Sequence, residues 1–200
     1  MTLTFRLTVV NSSSHMFHAS DLRILYTPPK AITEEDNEPD VLPQTRISAY
    51  WCLYIDTVFI SADGNLFDAA WLAVLTALHN TKIPKARWDP DLEMVLCSEH
   101  EVNTLRLRSM PVAVSFAVFE PTKEKGLLRV KNSWILADPD AFEETLCKEV
   151  ISVVCDGSRI VKILKSGGIV VNADEMRMIS QLAAKRWQEM MTILNRVGNS

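Results

Sequence analysis

Cysteine is scarce in this sequence, and the few cysteines are far apart. The 200-residue chain has four of them and no C-x-x-C pair, so neither a zinc knuckle nor a disulfide framework is indicated. We interpret all four as reduced thiols in the core, and we predict no metal and no cofactor. The four are Cys52, Cys97, Cys147 and Cys155.

Long hydrophobic runs are missing as well. The first ten residues, MTLTFRLTVV, hold Arg6 inside a short apolar alternation and make a poor signal peptide. No segment approaches the ~18 consecutive apolar residues that a membrane-spanning helix needs. These two absences predict a reducing location, cytosolic or nuclear, and no membrane partner.

An excess of positive charge is also lacking. The chain has 21 basic and 25 acidic residues, for a net charge of −4. Charge alone therefore does not predict tight binding to a nucleic-acid backbone, although a local basic patch remains compatible with it. What the chain does have is 48% hydrophobic residues, which is typical of a globular protein that buries a core.

The signatures of several enzyme classes do not occur. G-x-S-x-G, G-x-x-x-x-G-K-[ST] and G-x-G-x-x-G are all absent, and KSGG at 165–168 is too short to be a phosphate loop rather than a turn. The sequence therefore gives no support to a nucleophilic hydrolase of the first type or to a P-loop or dinucleotide-binding protein.

Hydrophobic periodicity predicts a mixture of strands and helices. Residues 48–61 show little alternation, so we expect a long strand covered on both faces. The acidic, proline-rich segment 27–45 is expected to be an exposed loop. Further strands are predicted at 21–26, 102–110, 111–120, 134–138, 149–156 and 159–168, with a connector at 81–91.

Two helices complete this prediction. One follows the turn at 61–65 and ends at Asn80, and the other spans 174–197 with Asp174 as its N-cap. The order strand, helix, β meander and helix predicts a fold of the α+β class.

The first helix begins at a turn that reads DGNLF. Unpaired N–H groups at a helix N-terminus favour anions, and Gly64 permits close approach of a ligand. However, Leu66 and Phe67 stand where a phosphate site needs a hydroxyl and a cation. We expect both side chains to pack, and we expect Asn65 and Asp68 to cap the N–H groups of the turn.

Carboxylates are concentrated in ADPDAFEE, directly after a predicted strand. Asp138, Asp140, Glu143 and Glu144 are the acids of this segment. Acids at a strand end are able to coordinate Mg²⁺ or to act as general acid and base. The alternative is a structural turn with solvated glutamates, and the residues alone leave both interpretations open.

Four segments in this order resemble the RNase PH-like subunits of the eukaryotic RNA exosome. They are LYIDTVFISADGNLFDAAWLAVLTAL, PVAVSFAVFE, ILADPDAFEE and KSGG, and the resemblance covers residues 21–197. It implies an RNase PH-like fold, with a ribosomal protein S5 domain 2-like βαβ unit and a C-terminal α/β part. Residues 1–20 do not match the family, which carries more chain there, so we expect part of the N-terminal region to be lacking.

The resemblance also implies a degenerate active site. Phosphorolytic members have a D-G-G-T-R turn whose Thr and Arg hold inorganic phosphate, and Leu66 and Phe67 occupy those two positions here. Two aspartates six residues apart in the active enzymes match Asp138 and Glu144. We therefore expect no catalysis, with Asp138 capping the turn and Glu144 paired with a cation.

What the resemblance implies for function is a structural ring subunit that supports 3′-to-5′ RNA processing. Its partners would be other RNase PH-like subunits, as a heterodimer within a hexameric ring, together with cap proteins and RNA, in the nucleus, nucleolus and cytoplasm. The alternatives are an active phosphorolytic exoribonuclease and a stand-alone RNA-binding module. RNA-contacting candidates on predicted exposed strand faces are Arg106, Arg108, Lys162 and Lys165.

Overall fold

The computed structural model describes residues 4–9, 16, 18–27, 45–120, 133–165 and 167–197. The strands are β1 (Thr4–Val9), β2 (Arg23–Tyr26), β3 (Arg46–Tyr50), β4 (Leu53–Val58), β5 (Lys82–Asp89), β6 (Met94–Thr104), β7 (Val112–Phe119), β8 (Trp134–Ala137), β9 (Glu149–Asp156) and β10 (Arg159–Lys165). The helices are α1 (Leu66–His79), α2 (Ala141–Leu146) and α3 (Ala173–Val197), with a 3₁₀ turn at Ala19–Leu22. This mixture of helices and sheets confirms the predicted α+β class.

Part of the predicted acidic loop lies outside the described residues, namely 28–44. Its two flanking threonines are described, and the hydroxyls of Thr27 and Thr45 are 3.0 Å apart, within hydrogen-bonding distance. The two ends of this segment, Thr27 and Thr45, therefore lie next to each other.

A four-stranded antiparallel sheet forms the core of the larger compact unit, which comprises residues 1–6, 56–78 and 109–200. Its strand order is β10-β9-β7-β8, so the predicted runs at 111–120, 134–138, 149–156 and 159–168 are confirmed as strands. Strand β7 is central and is buried along nearly its whole length, because β8 and β9 flank it and α3 packs against it. Phe116 at its middle is fully buried.

Helix α3 begins one residue before the predicted 174–197. The prediction that Asp174 is its N-cap is wrong. Asn172 accepts a hydrogen bond from the N–H of Glu175 at 2.8 Å, and the Glu175 carboxylate accepts one from the N–H of Asn172 at 2.9 Å. Asp174 instead pairs with Arg177 at 2.6 Å. These reciprocal bonds satisfy the backbone N–H groups of Asn172 and Glu175.

The second compact unit, residues 7–55 and 79–108, contains a sheet of order β3-β2-β5-β6. Residues 81–91 were predicted to be a connector, but they form β5, antiparallel to β6. Pro84 obscures this strand in the sequence, and the sheet accommodates it at a register shift between Pro84 and Ala86. The predicted strand 102–110 is correct only at 102–104, because β6 ends at Thr104 and the N–H of Leu105 donates to the carbonyl of Thr81.

The predicted long strand at 48–61 is divided into two strands. β3 ends at Tyr50, the N–H of Trp51 donates to the carbonyl of Leu22, and β4 then pairs with β1 in a separate two-stranded sheet. The expectation that both faces are covered is wrong, since half-buried and exposed residues alternate along β4 and Tyr54 is 67% exposed.

Only one cysteine lies in the core, so the interpretation of all four as core thiols is wrong. Cys155 is buried, Cys147 is half-buried, and Cys52 and Cys97 are exposed. Burial raises the pKa of the Cys155 thiol, and its S–H donates to the carbonyl of Ala183. No helix in the described ranges combines the length and the hydropathy that a membrane crossing requires.

Candidate functional site

The turn before α1 uses two consecutive residues with left-handed backbone. Gly64 has φ +83° and Asn65 has φ +45°, and α1 starts at the next residue. A Cβ on Gly64 would lie 2.4 Å from the carbonyl carbon of Asp140 and 2.6 Å from the carbonyl oxygen of Pro139. The turn therefore lies against the backbone of the acidic segment, which only glycine allows.

Asn65 connects the turn to three carboxylates. Its backbone N–H donates to Oε1 of Glu144 at 2.9 Å, although the two residues are 79 positions apart. Its side-chain Nδ2 donates to Oδ1 of Asp138 at 2.6 Å and to Oδ2 of Asp68 at 2.9 Å. The structure thus brings the turn together with the two acids that the resemblance singled out.

These bonds correct two expectations for the turn. Within the described residues Glu144 forms no ion pair, so its predicted pairing with a cation is replaced by the N–H of Asn65. Asn65 does not cap α1, because its Oδ1 is buried and accepts no hydrogen bond there. Asp68 and Asp138 both accept hydrogen bonds from Nδ2 and so fix the orientation of the side-chain amide. In this orientation Oδ1 makes no hydrogen bond with the helix N–H groups.

Asp68 does not cap α1 either. Both of its oxygens accept from Ser115, the N–H at 2.6 Å and the hydroxyl at 2.8 Å. The Ser115 hydroxyl is also 2.8 Å from that of Ser152 on β9. Because Ser115 is only 3% exposed, its polar groups need protein partners, and Asp68 provides them.

Leu66 and Phe67 contribute no polar group to this site. Leu66 is half-buried, and Phe67 is 38% exposed with its ring stacked on Trp71 at 6.1 Å between centroids. The indole N–H of Trp71 donates to the carbonyl of Pro111 at 2.6 Å. The positions that would need a hydroxyl and a cation therefore carry aliphatic and aromatic side chains.

The other two acids of the segment start a short helix that the sequence prediction missed. Asp140 accepts from the N–H of Glu143 at 2.7 Å, and Glu143 accepts from the N–H of Asp140 at 2.9 Å. This is a complete capping box for α2. The spacing D-x-x-E at 140–143 was the signal available for it. Both glutamates of this segment accept hydrogen bonds from backbone N–H groups, and Glu144 is also exposed to solvent.

A cleft of about 540 Å³ lies beside Asn65 and Asp138. Its lining is partly apolar, from residues that include Leu72, Phe116 and Met190. Lys185 and Arg186 of α3 also line it, and sequence analysis missed them. They follow Leu182 by three and four residues, so they lie on the same face of the helix as that lining residue.

Two of the four candidate RNA-contacting cations bind acids of their own unit. Arg106 forms a forked ion pair with Asp21, whose side chain is 9% exposed. Lys165 pairs with Glu149 at 2.8 Å, and the Glu149 side chain is 2% exposed. Both cations are thus held against buried carboxylates.

The predicted placement of these cations on exposed strand faces is only partly correct. Arg106 and Arg108 follow the end of β6, so neither lies in that strand. Lys162 and Lys165 do lie on β10, but they are three residues apart in a regular stretch and therefore face opposite sides of the sheet. Arg106 and Arg108 belong to one compact unit, and Lys162 and Lys165 belong to the other.

The Asp21–Arg106 pair predicts a contribution to acid stability. Hydrogen bonds from Arg106 lower the pKa of the Asp21 carboxyl below its ordinary value of 3.8. A lowered folded-state pKa stabilises the chain above the ordinary value, and this contribution is lost as the pH falls below it. We expect Asp21→Asn to reduce stability at pH 7 and to flatten the dependence on pH below 4, measured by urea unfolding from pH 2 to pH 7. Asp174→Asn, at an acid 89% exposed, is the matched control; equal effects of the two variants would contradict the assignment.

Two family models match the chain. They are domain 1 of the 3′ exoribonuclease family (RNase PH) at residues 37–84 and domain 2 of the same family at residues 109–186. The two matched ranges together cover more than half of the 200 residues.

Curated relatives agree with these models. The chain is 36% identical over 121 residues to exosome complex component rrp43 of Schizosaccharomyces pombe, covering 60% of this chain and 40% of that protein. It is 29% identical over 144 residues to exosome complex component Rrp42 of Thermococcus gammatolerans, covering 71% of this chain and 48% of that protein. The chain thus spans less than half the length of either relative.

Among solved structures, an archaeal exosome core aligns with a TM-score of 0.49 and 22% identity, over 72% of this chain and 51% of that one. The two consecutive family models and the α+β fold lead to one assignment: the chain belongs to the RNase PH-type 3′ exoribonuclease family.

Proposed function

We propose that this chain is a structural, non-catalytic ring subunit of an RNA exosome. The proposal is supported by the names of its relatives, which are exosome components of a yeast and of archaea. In this role the chain supports 3′-to-5′ processing and degradation of RNA, including ribosomal RNA maturation and messenger RNA turnover. Its degenerate site consists of Leu66, Phe67, Asp138 and Glu144.

The observation that carries the non-catalytic part is the set of bonds made by Asn65. Phosphorolysis needs a phosphate dianion held in line with the 3′-terminal phosphodiester. Asp138, Asp68 and Glu144 all accept hydrogen bonds from this one residue, which is neutral. A dianion placed at this turn would meet three carboxylates, and Leu66 and Phe67 supply no cation to offset the repulsion between like charges. Of the two cations that line the neighbouring cleft, Lys185 and Arg186, the second already pairs with Glu189 at 3.3 Å.

The same proposal includes partners and location. The partners are other RNase PH-like subunits, as a heterodimer within a hexameric ring, with cap proteins and RNA. The location is the nucleus, the nucleolus and the cytoplasm. For contact with RNA we retain Arg108 and Lys162 first, because Arg106 and Lys165 are each bound to a buried acid.

A purification and an activity assay together test the proposal. A complex captured through the tagged chain is expected to contain other RNase PH-like proteins by mass spectrometry. The chain alone, incubated with RNA and inorganic phosphate, is expected to release no nucleoside diphosphates, whereas a phosphorolytic family member assayed in parallel releases them. Nucleoside diphosphates that disappear with Asp138→Ala would identify an active enzyme instead, and a chain that captures no such partner would contradict the ring assignment.

A further inference from the structure

Strand β10 forms one edge of the four-stranded sheet, and its outer side is unpaired among the described residues. It pairs with β9 alone, from Arg159 to Lys165. An edge strand of this kind presents a row of free N–H and C=O groups to any strand that approaches. The opposite edge strand, β8, offers only four residues.

The side chains of β10 are exposed on both faces of the sheet. All seven residues are exposed, and the four apolar ones range from 37% for Leu164 to 52% for Val161. The other two are Ile160 and Ile163. Strand edges are often protected by lysines, prolines or bulges, and β10 has three cations and a register shift between Ile160 and Lys162. Its regular stretch from Lys162 to Lys165 nevertheless combines aliphatic side chains with free backbone groups, which are the two requirements for adding another strand.

The charges of β10 indicate what kind of strand fits. Arg159, Lys162 and Lys165 are its only charged residues, and all are positive. If a second copy paired with β10 in full antiparallel overlap, Arg159 of one copy would lie beside Lys165 of the other, and the two Lys162 residues would lie beside each other. In full parallel overlap, each cation would lie beside the same residue of the other copy. Like charges opposite each other destabilise a pair of strands. Arg159 and Lys165 have acidic neighbours within the chain, so Lys162 is the cation left for a partner.

We propose that β10 is a docking strand for an extended, acid-bearing strand of a different protein chain. The added strand extends the sheet beyond β10, covers Val161 and Ile163, and places a carboxylate beside Lys162. This inference rests on the proposed function, since it assigns the surface by which the ring subunit holds one of its neighbours. An RNA strand fits less well, because it offers no backbone ladder and no apolar side chains to cover these residues.

The test compares capture of RNase PH-like partners by variants of the tagged full chain. Lys162→Glu places an acid beside the partner's carboxylate, and Ile163→Asp places a charge where the partner strand covers an apolar side chain. We expect each to reduce partner recovery by about tenfold. The matched controls are Met178→Asp, at an apolar residue of α3 that is 43% exposed, and Lys82→Glu, at an exposed lysine of β5. Both are expected to change recovery less than about twofold.

Hydrogen exchange keeps the test independent of how the variants fold. In the wild-type chain, the amides of β10 that face away from β9 are expected to exchange quickly when the chain is alone and to be protected in the captured complex. Absence of that protection overturns the proposal. So does unchanged partner recovery with the two β10 variants, and in that case the ring function still stands.

Further outcomes identify other occupants of the edge. If the wild-type chain captures no RNase PH-like protein, this result contradicts both the docking strand and the ring function. Lower affinity for a labelled RNA with unchanged partner recovery would make β10 an RNA contact. Loss of a homodimer in the β10 variants would make the occupant a second copy. Both of these results contradict the proposal.

Discussion

Replacing Gly64 by alanine is expected to cost about 3 kcal/mol or more of unfolding free energy. Two causes act together. The φ of +83° strains any residue with a Cβ, and the added Cβ would lie 2.4 Å from the carbonyl carbon of Asp140. The atoms it meets are backbone, so no side chain is able to rotate away. The turn must therefore move from the acidic segment, and the Asn65 bonds to Glu144 and Asp138 lengthen with it.

Gly157 provides the control that separates these causes. It has φ +65°, and a Cβ there would have nothing within 4 Å. Gly157→Ala therefore carries the backbone strain alone, and we expect a loss of about 1 kcal/mol. Urea unfolding of the two variants measures the difference. Equal losses would mean that Gly64 does not pack against the acidic segment as described.

The second large effect is expected at the ion pair between Lys165 and Glu149. Glu149 is 2% exposed, and its Oε2 accepts from Lys165 at 2.8 Å. Lys165→Met leaves this carboxylate buried without its cation, which costs about 3 to 5 kcal/mol in comparable cases. Denaturant unfolding checks this value. The ion pair joins the start of β9, at Glu149, to the end of β10, at Lys165, so its removal weakens the contact between these two strands.

Two further variants make this prediction specific. Arg177→Met removes an ion pair in which Arg177 and Asp174 are 68% and 89% exposed, and its cost is expected to stay below about 0.5 kcal/mol. The double variant Glu149→Leu with Lys165→Met removes the buried carboxylate together with its cation, so it is expected to recover most of the loss. A double variant as unstable as Lys165→Met alone would show that packing, not the unpaired charge, causes the effect.

Among the elements predicted correctly, β7, β9 and α3 have patterns that follow from burial. β7 and β9 are continuous apolar runs because they lie inside a sheet, and α3 has an apolar stripe that includes the buried Ile179, Ala183 and Met190. β5 was missed because Pro84 and three basic residues hide a strand that its pairing with β6 stabilises. Propensity does not contain such pairing.

The candidate site was predicted in its parts but not in its contacts. The apolar character of Leu66 and Phe67 can be seen in the sequence, and so can the two acids of the resemblance. The role of Asn65 cannot, since the bond to Glu144 joins residues 79 positions apart and depends on a left-handed φ at Asn65. The cap at Asn172 was missed by two residues, a normal error for a helix end.

Under the proposed function, the contacts of Asn65 oppose the creation of a phosphate site at this turn. The resemblance to phosphorolytic members, with D-G-G-T-R at this turn, implies that Asn65 stands at the second glycine and that Leu66 and Phe67 stand at the residues that hold phosphate. Restoring threonine and arginine alone would leave Asn65 bound to Asp138, Asp68 and Glu144. Under this proposal, a D-G-G-T-R turn would require three neighbouring codons to change, and the change at Asn65 would remove bonds that now join residues up to 79 positions apart.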